Sequence, residues 1–194
     1  MPSLHRSFVL GTVLLIGAAG CARHAPVASG GNAAAATASA CLPDRSGYLR
    51  LRVRGAQNFD LDWRDAELTC EGGPRPGQGG LRLTFAERAP GREHRPRLVF
   101  GIAAIPGAGS RHAVPTNVTL LFEGEGRVYS TRGDDKCTID ELVQTPLAGR
   151  AFRVAGRGFC AAPAASLDGK DDVLVSRFDF AGRVVDGEPT DPPQ

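Results

Sequence analysis

The chain has 194 residues, a formal net charge of +2, five cysteines, 25 glycines, 14 prolines and only 6% aromatic residues. A balance this close to neutrality supplies no strong overall field for nucleic acid, and no apolar stretch reaches the ~20 residues that a membrane-spanning helix requires. Abundant Gly and Pro among many short apolar runs favour strands and tight turns over helices.

The chain opens with His5 and Arg6, then an apolar run that starts at Phe8 and ends in the small residues Ala18-Ala19-Gly20 ahead of Cys21. A short basic head, an apolar core and small residues before a cut describe a secretory signal. This segment resembles the bacterial lipoprotein signal, in which the cysteine is diacylated and becomes the mature N-terminus. Ala18 stands where the commonest version carries Leu, and the resemblance is confined to this first segment. It implies removal of residues 1–20, palmitate-type lipid attachment at Cys21 and a place in the cell envelope. Ala22, in place of the aspartate that retains such proteins on the inner membrane, implies the outer membrane of a two-membrane host, facing the periplasm or the surface. Two or more acyl chains, at ~0.8 kcal/mol per buried CH2, anchor stably without any apolar surface on the protein. An ordinary cleaved secretory signal is the other reading of the same residues.

Residues 21–40 carry the low-complexity run ARHAPVASGGNAAAATASA after the cysteine. They read as a flexible tether that holds a domain on the order of 20 to 30 Å from the lipid. Residues 41–187 form one β-rich domain of ordinary size, and residues 188–194 a disordered tail. Cys41, Cys70, Cys137 and Cys160 lie beyond the signal, and an exported chain keeps such cysteines oxidised. Three pairings are possible. Cys41 with Cys70 and Cys137 with Cys160 close the shortest loops, each contributing roughly 3 kcal/mol on the chain-entropy model. No metal-ligand spacing accompanies them, so neither a metal nor another cofactor is expected.

Along the domain, Leu49, Leu51 and Val53 alternate with Arg50, Arg52 and Arg54, the period of a strand with one wet face. The segment from Asn58 to Asp65 reads as an acidic turn. Ala66 to Pro74 gives a short strand, Leu81 to Phe85 the next, and Leu98 to Ile102 another after an Arg-rich loop. Pro106 to Pro115 reads as loop, and Val118 to Phe122 turns through Gly124 and Gly126 into Arg127 to Thr131 as a hairpin. Cys137 to Val143 fits a strand or a single helical turn. Phe152 to Cys160 and Val173 to Val184 complete the set. The expectation is an all-β antiparallel sandwich, or a barrel-like variant, in a single domain with two disulfides.

The chemistry points to a non-enzymatic binding or structural module. There is no G-x-S-x-G elbow, and His94 and His112 sit in Pro- and Gly-rich segments without a nucleophile at a meaningful spacing. The alternative is a carbohydrate-active hydrolase built on Asp60, Asp62, Asp65 and Glu67 around Trp63, since glycosidases need paired carboxylates. The basic residues carry the binding expectation. Arg50, Arg52 and Arg54 on one strand, with Arg92, Arg95 and Arg97 in and beside one loop, would together suit lipid phosphates or anionic cell-wall polymer.

Overall fold

The computed structural model describes residues 40–77, 79–88 and 95–187, with the side chain of Arg95 excluded. The signal segment with Cys21, the tether, Arg92 and the tail lie outside them. Eleven strands make up the domain: β1 Tyr48–Gly55, β2 Phe59–Arg64, β3 Leu68–Pro74, β4 Leu81–Glu87, β5 Arg95–Ile102, β6 Arg111–Glu123, β7 Arg127–Ser130, β8 Cys137–Pro146, β9 Ala151–Cys160, β10 Ala164–Ser166 and β11 Asp172–Val185. All pair antiparallel, and no helix occurs among the described residues.

The strands belong to one hydrogen-bonded sheet folded into two layers. One layer runs β2-β1-β11-β9-β8 and the other β3-β4-β5-β6-β7-β10. The long strands β6 and β11 turn the corners. The first part of β6 pairs with β8 and its remainder with β5 and β7, while β11 begins beside β10 and ends beside β9. The pairs β11-β10-β7-β6-β8-β9 thus close into a ring of strands. The architecture is a sandwich sealed along one side, with β2 and β3 as the edges of the open side.

Alternation builds the core. Leu49, Leu51 and Val53 of β1, Leu83 and Phe85 of β4, Leu98 and Phe100 of β5 and Phe178 and Phe180 of β11 are all buried. Phe100 meets Phe178 at 5.2 Å and Phe180 at 4.8 Å between ring centroids, and Phe85 meets Phe180 at 5.8 Å, so these rings join the two layers. Each such ring stabilises by about 1.5–3 kcal/mol through burial alone. The disulfides are Cys41–Cys70 and Cys137–Cys160, the short-loop pairing. The first holds the segment before β1 against β3, where Leu42 is buried and its N–H donates to Asp65 Oδ1 at 3.0 Å. The second joins register partners on β8 and β9.

Several local expectations are corrected. The acidic turn is the strand β2: Asp60 and Asp62 stand opposite Arg52 and Arg50, and this charge pairing holds a sequence of poor β-propensity in register. Strand β6 starts inside the expected loop, at Arg111, and passes through Pro115, whose carbonyl accepts from Ala103 N–H. Pairing with β9 makes Cys137 to Val143 a strand. Its register skips Asp140, which puts Ile139 and Leu142 both inward at a spacing that imitates a helix. The three-residue β10 was not foreseen.

Candidate functional site

The strand β1 places Arg50, Arg52 and Arg54 outward because Leu49, Leu51 and Val53 fill the core. Arg50 is the centre of a row that crosses the layer. In register from β2 to β8 stand Asp62, Arg50, Asp179, Arg157 and Glu141, charges that alternate in sign across five strands. Arg50 approaches Asp62 at 3.3 Å and Asp179 at 3.4 Å, and Arg157 approaches Glu141 at 3.0 Å. Tyr48 O–H donates to Asp179 at 2.7 Å, and the Arg50 guanidinium lies 4.9 Å over the Tyr48 ring. Burial and the neighbouring Asp179 push the Tyr48 phenol up to about 12.

The adjoining row is not balanced. Arg52 stands opposite Arg177 of β11, and the acid on its other side, Asp60, is bound more closely to Arg54, at 2.6 Å against 3.6 Å for Arg52. The Arg54 hydrogen bond leads the effects that hold the Asp60 carboxyl below its ordinary value. Arg183 of β11 likewise stands opposite Arg153 of β9. Taken together, the outer face of this layer carries Arg50, Arg52, Arg54, Arg64, Arg153, Arg157, Arg177 and Arg183 against Asp60, Asp62, Asp140, Glu141 and Asp179. The excess of positive charge on this one face exceeds the +2 of the whole chain.

Arg177 reaches that face through a bulge. Val173 and Val175 point inward, and strict alternation would turn position 177 inward too. The register of β1 against β11 shifts between Arg52 and Val53, passing over Ser176. Beyond the bulge, Phe178 and Phe180 take the inward positions and Arg177 is exposed. Two shallow hollows meet at its side chain. One is lined by Arg50, Arg52, Asp60, Asp62 and Asp179, the other by Asp140, Arg157, Phe159 and Ser176. Phe159 is 42% exposed there, one of the large apolar side chains that reach the surface among the described residues.

The remaining expected residues fall elsewhere. Arg97 lies on the outer face of the opposite layer, where it pairs with Glu123 at 2.7 Å, so it does not join the β1 arginines. Arg92 lies outside the described residues, as does the side chain of Arg95, although the Arg95 backbone opens β5. The carboxylates near Trp63 each have a partner. Asp60 and Asp62 pair with arginines, Asp65 is buried against Leu42 N–H, and Glu67 accepts from Arg64 N–H at 2.9 Å. Trp63 is only 8% exposed and belongs to the core, so it offers no open ring face for stacking.

Sequence reading missed Arg64, Arg153, Arg157, Arg177 and Arg183 as members of the face. The signal was present for Arg177: apolar residues at odd positions to Val175 and at even positions from Phe178 require a bulge between them. Among the described residues, no group of three or more His, Cys, Asp or Glu side chains is placed to hold a metal ion. Comparison of the chain with protein-family models, with curated proteins and with solved structures finds no match.

Proposed function

We propose that the chain is a lipid-anchored protein of the cell envelope, acylated at Cys21, whose β-domain is a non-enzymatic binding module. Its binding face is the outer surface of the β2-β1-β11-β9-β8 layer, and its ligands are anionic components of the envelope. The observation that carries this reading is the arginine excess on that face, where like charges stand opposite one another at Arg52 and Arg177 and at Arg183 and Arg153. Directly opposed like charges oppose sheet formation, and an anionic surface offsets that cost.

The anchor is tested by metabolic palmitate labelling of the chain and its Cys21→Ser variant. Label in the first and none in the second supports it; equal label, or an unchanged membrane fraction, overturns it. The face is tested by cosedimentation of the chain from Ala22 onward with vesicles of anionic phospholipid across a salt series. Binding at low salt that fades as the screening length falls below ~8 Å supports the reading, as does its loss when Arg64, Arg153 and Arg183 are changed to Glu. Absence of binding at low salt, or equal binding by the triple variant, overturns it.

A further inference from the structure

We propose that Arg52 and Arg177 form a binding site for a phosphoryl group. The inference rests on the reading of this layer as an anion-binding face and names the group that it takes. The two arginines are register partners on β1 and β11, both with exposed side chains. Among the described residues Arg177 makes no ion pair. The carboxylate nearest to Arg52 is held more tightly by Arg54.

The backbone is arranged to produce this pair. Without the bulge at Ser176, position 177 would point into the core and no second guanidinium would face Arg52. Ser176 Oγ donates to the Arg52 carbonyl at 3.4 Å, which ties the bulge to the strand it serves. Around Arg177 the hollows are lined by Arg50, held between Asp62 and Asp179, by Arg157, paired with Glu141, and by Phe159 as an apolar wall. Asp60, Asp62 and Asp179 face the same place, each with an arginine partner, while Asp140 lines the second hollow beyond ion-pair distance of Arg177. A planar carboxylate satisfies one guanidinium fork with its two oxygens. A tetrahedral phosphoryl group presents oxygens to two forks that arrive from neighbouring strands.

The test is titration of the full chain in nonionic detergent at low salt, followed by the side-chain Nε–H resonances of arginine. The two probes are inorganic phosphate and glycerophosphoglycerol, the phosphodiester headgroup without its acyl chains; sodium chloride at matched ionic strength is the reference. Saturable shifts with phosphate mark a free phosphate ligand, and stronger shifts with the diester mark a lipid headgroup. Either supports the site, provided that Arg177→Gln weakens binding about tenfold, as loss of one charge-assisted hydrogen bond does, and that Arg82→Gln, on the opposite face and paired with Glu71, does not. Phosphate should also raise the unfolding temperature of the parent chain and not that of Arg177→Gln. No saturable shift with either probe overturns the site, as does unchanged affinity in Arg177→Gln. If neither probe saturates, or Arg177→Gln binds both as the parent does, while the triple variant still loses vesicle binding, the site fails and the broader face stands.

Discussion

Arg75 holds Asp134 with both terminal nitrogens of its guanidinium, at 2.8 Å and 2.9 Å, and thereby joins the turn after β3 to the segment between β7 and β8. Asn117 of β6 adds a third hydrogen bond to the same carboxylate at 2.7 Å. The Arg75 side chain is only 11% exposed, so the pair is shielded where the arginines that pair with Asp60, Asp62, Glu71 and Glu123 are open to solvent. The Arg75 hydrogen bonds, opposed by desolvation and aided by Asn117, hold the Asp134 carboxyl below its usual range.

A depressed carboxyl contributes stability that is complete above the unfolded value near 3.9 and is lost as pH falls through the lower folded value. Asp134→Asn should therefore lower stability at pH 7 by about 2 kcal/mol, since removal of one partner leaves a shielded charge behind. Its effect should shrink in strongly acidic solution. Urea unfolding at the two pH values checks this; an equal loss at both would show that the charge of Asp134 is irrelevant.

The inward residues of β1, β4, β5 and β9 were legible because each of these strands writes its buried face every second position, whereas the parity of β11 changes at its bulge. The disulfide pairing was legible for a different reason, since loop length ranks the three connectivities. What alternation could not report was the effect of a neighbour. Asp60 and Asp62 look like turn residues until Arg52 and Arg50 are set beside them, and a three-residue strand such as β10 has too few positions to show a period. The arginine-rich face was half visible. The arginines of β1 stand in one run, but Arg153, Arg157, Arg177 and Arg183 lie about a hundred residues or more later and join them only through the pairing of β1 with β11 and β11 with β9.

Tyr48 provides a spectroscopic check on the alternating charge row. The chain has two tyrosines, Tyr48 and Tyr129. Tyr48 should ionise at about 12, and an ultraviolet absorbance titration of the folded chain should lose that step in Tyr48→Phe. The sign follows from linkage: the folded phenol keeps its proton above the unfolded value near 10, so its contribution is complete below pH 10 and is lost between 10 and 12. A Tyr48 step near pH 10 would mean that the bond to Asp179 does not form.

Tyr129 is the opposite case. It is fully buried on β7, edge-on to Phe122 at 6.0 Å between ring centroids, and its hydroxyl has no hydrogen-bond partner among the described residues. A buried hydroxyl without a partner costs about 1–3 kcal/mol. Tyr129→Phe keeps the ring and removes that cost, so the urea midpoint should stay level or rise. A fall of more than about 1 kcal/mol would reveal a buried water that satisfies the hydroxyl.

Gly158 shows why the centre of this layer tolerates no side chain at one position of β9. A Cβ placed there would lie 2.0 Å from the Thr138 carbonyl oxygen and 2.9 Å from the Cα of Ile139, both backbone atoms of β8, with the Phe178 ring 2.9 Å away on the other side. Neither side yields easily, because the disulfide of Cys137 and Cys160 clamps the two strands next to this point. Gly158→Ala should therefore force the strands apart, with a loss of about 3 kcal/mol or more, at the upper end of overpacking effects. Gly73 on the edge strand β3 is the internal comparison, since a Cβ there meets nothing closer than the Val185 carbonyl at 3.7 Å. Gly73→Ala should leave the unfolding midpoint within about 0.5 kcal/mol of the parent. The ratio of the two effects is the measurement. Equal small losses would show that β8 and β9 separate freely at Gly158.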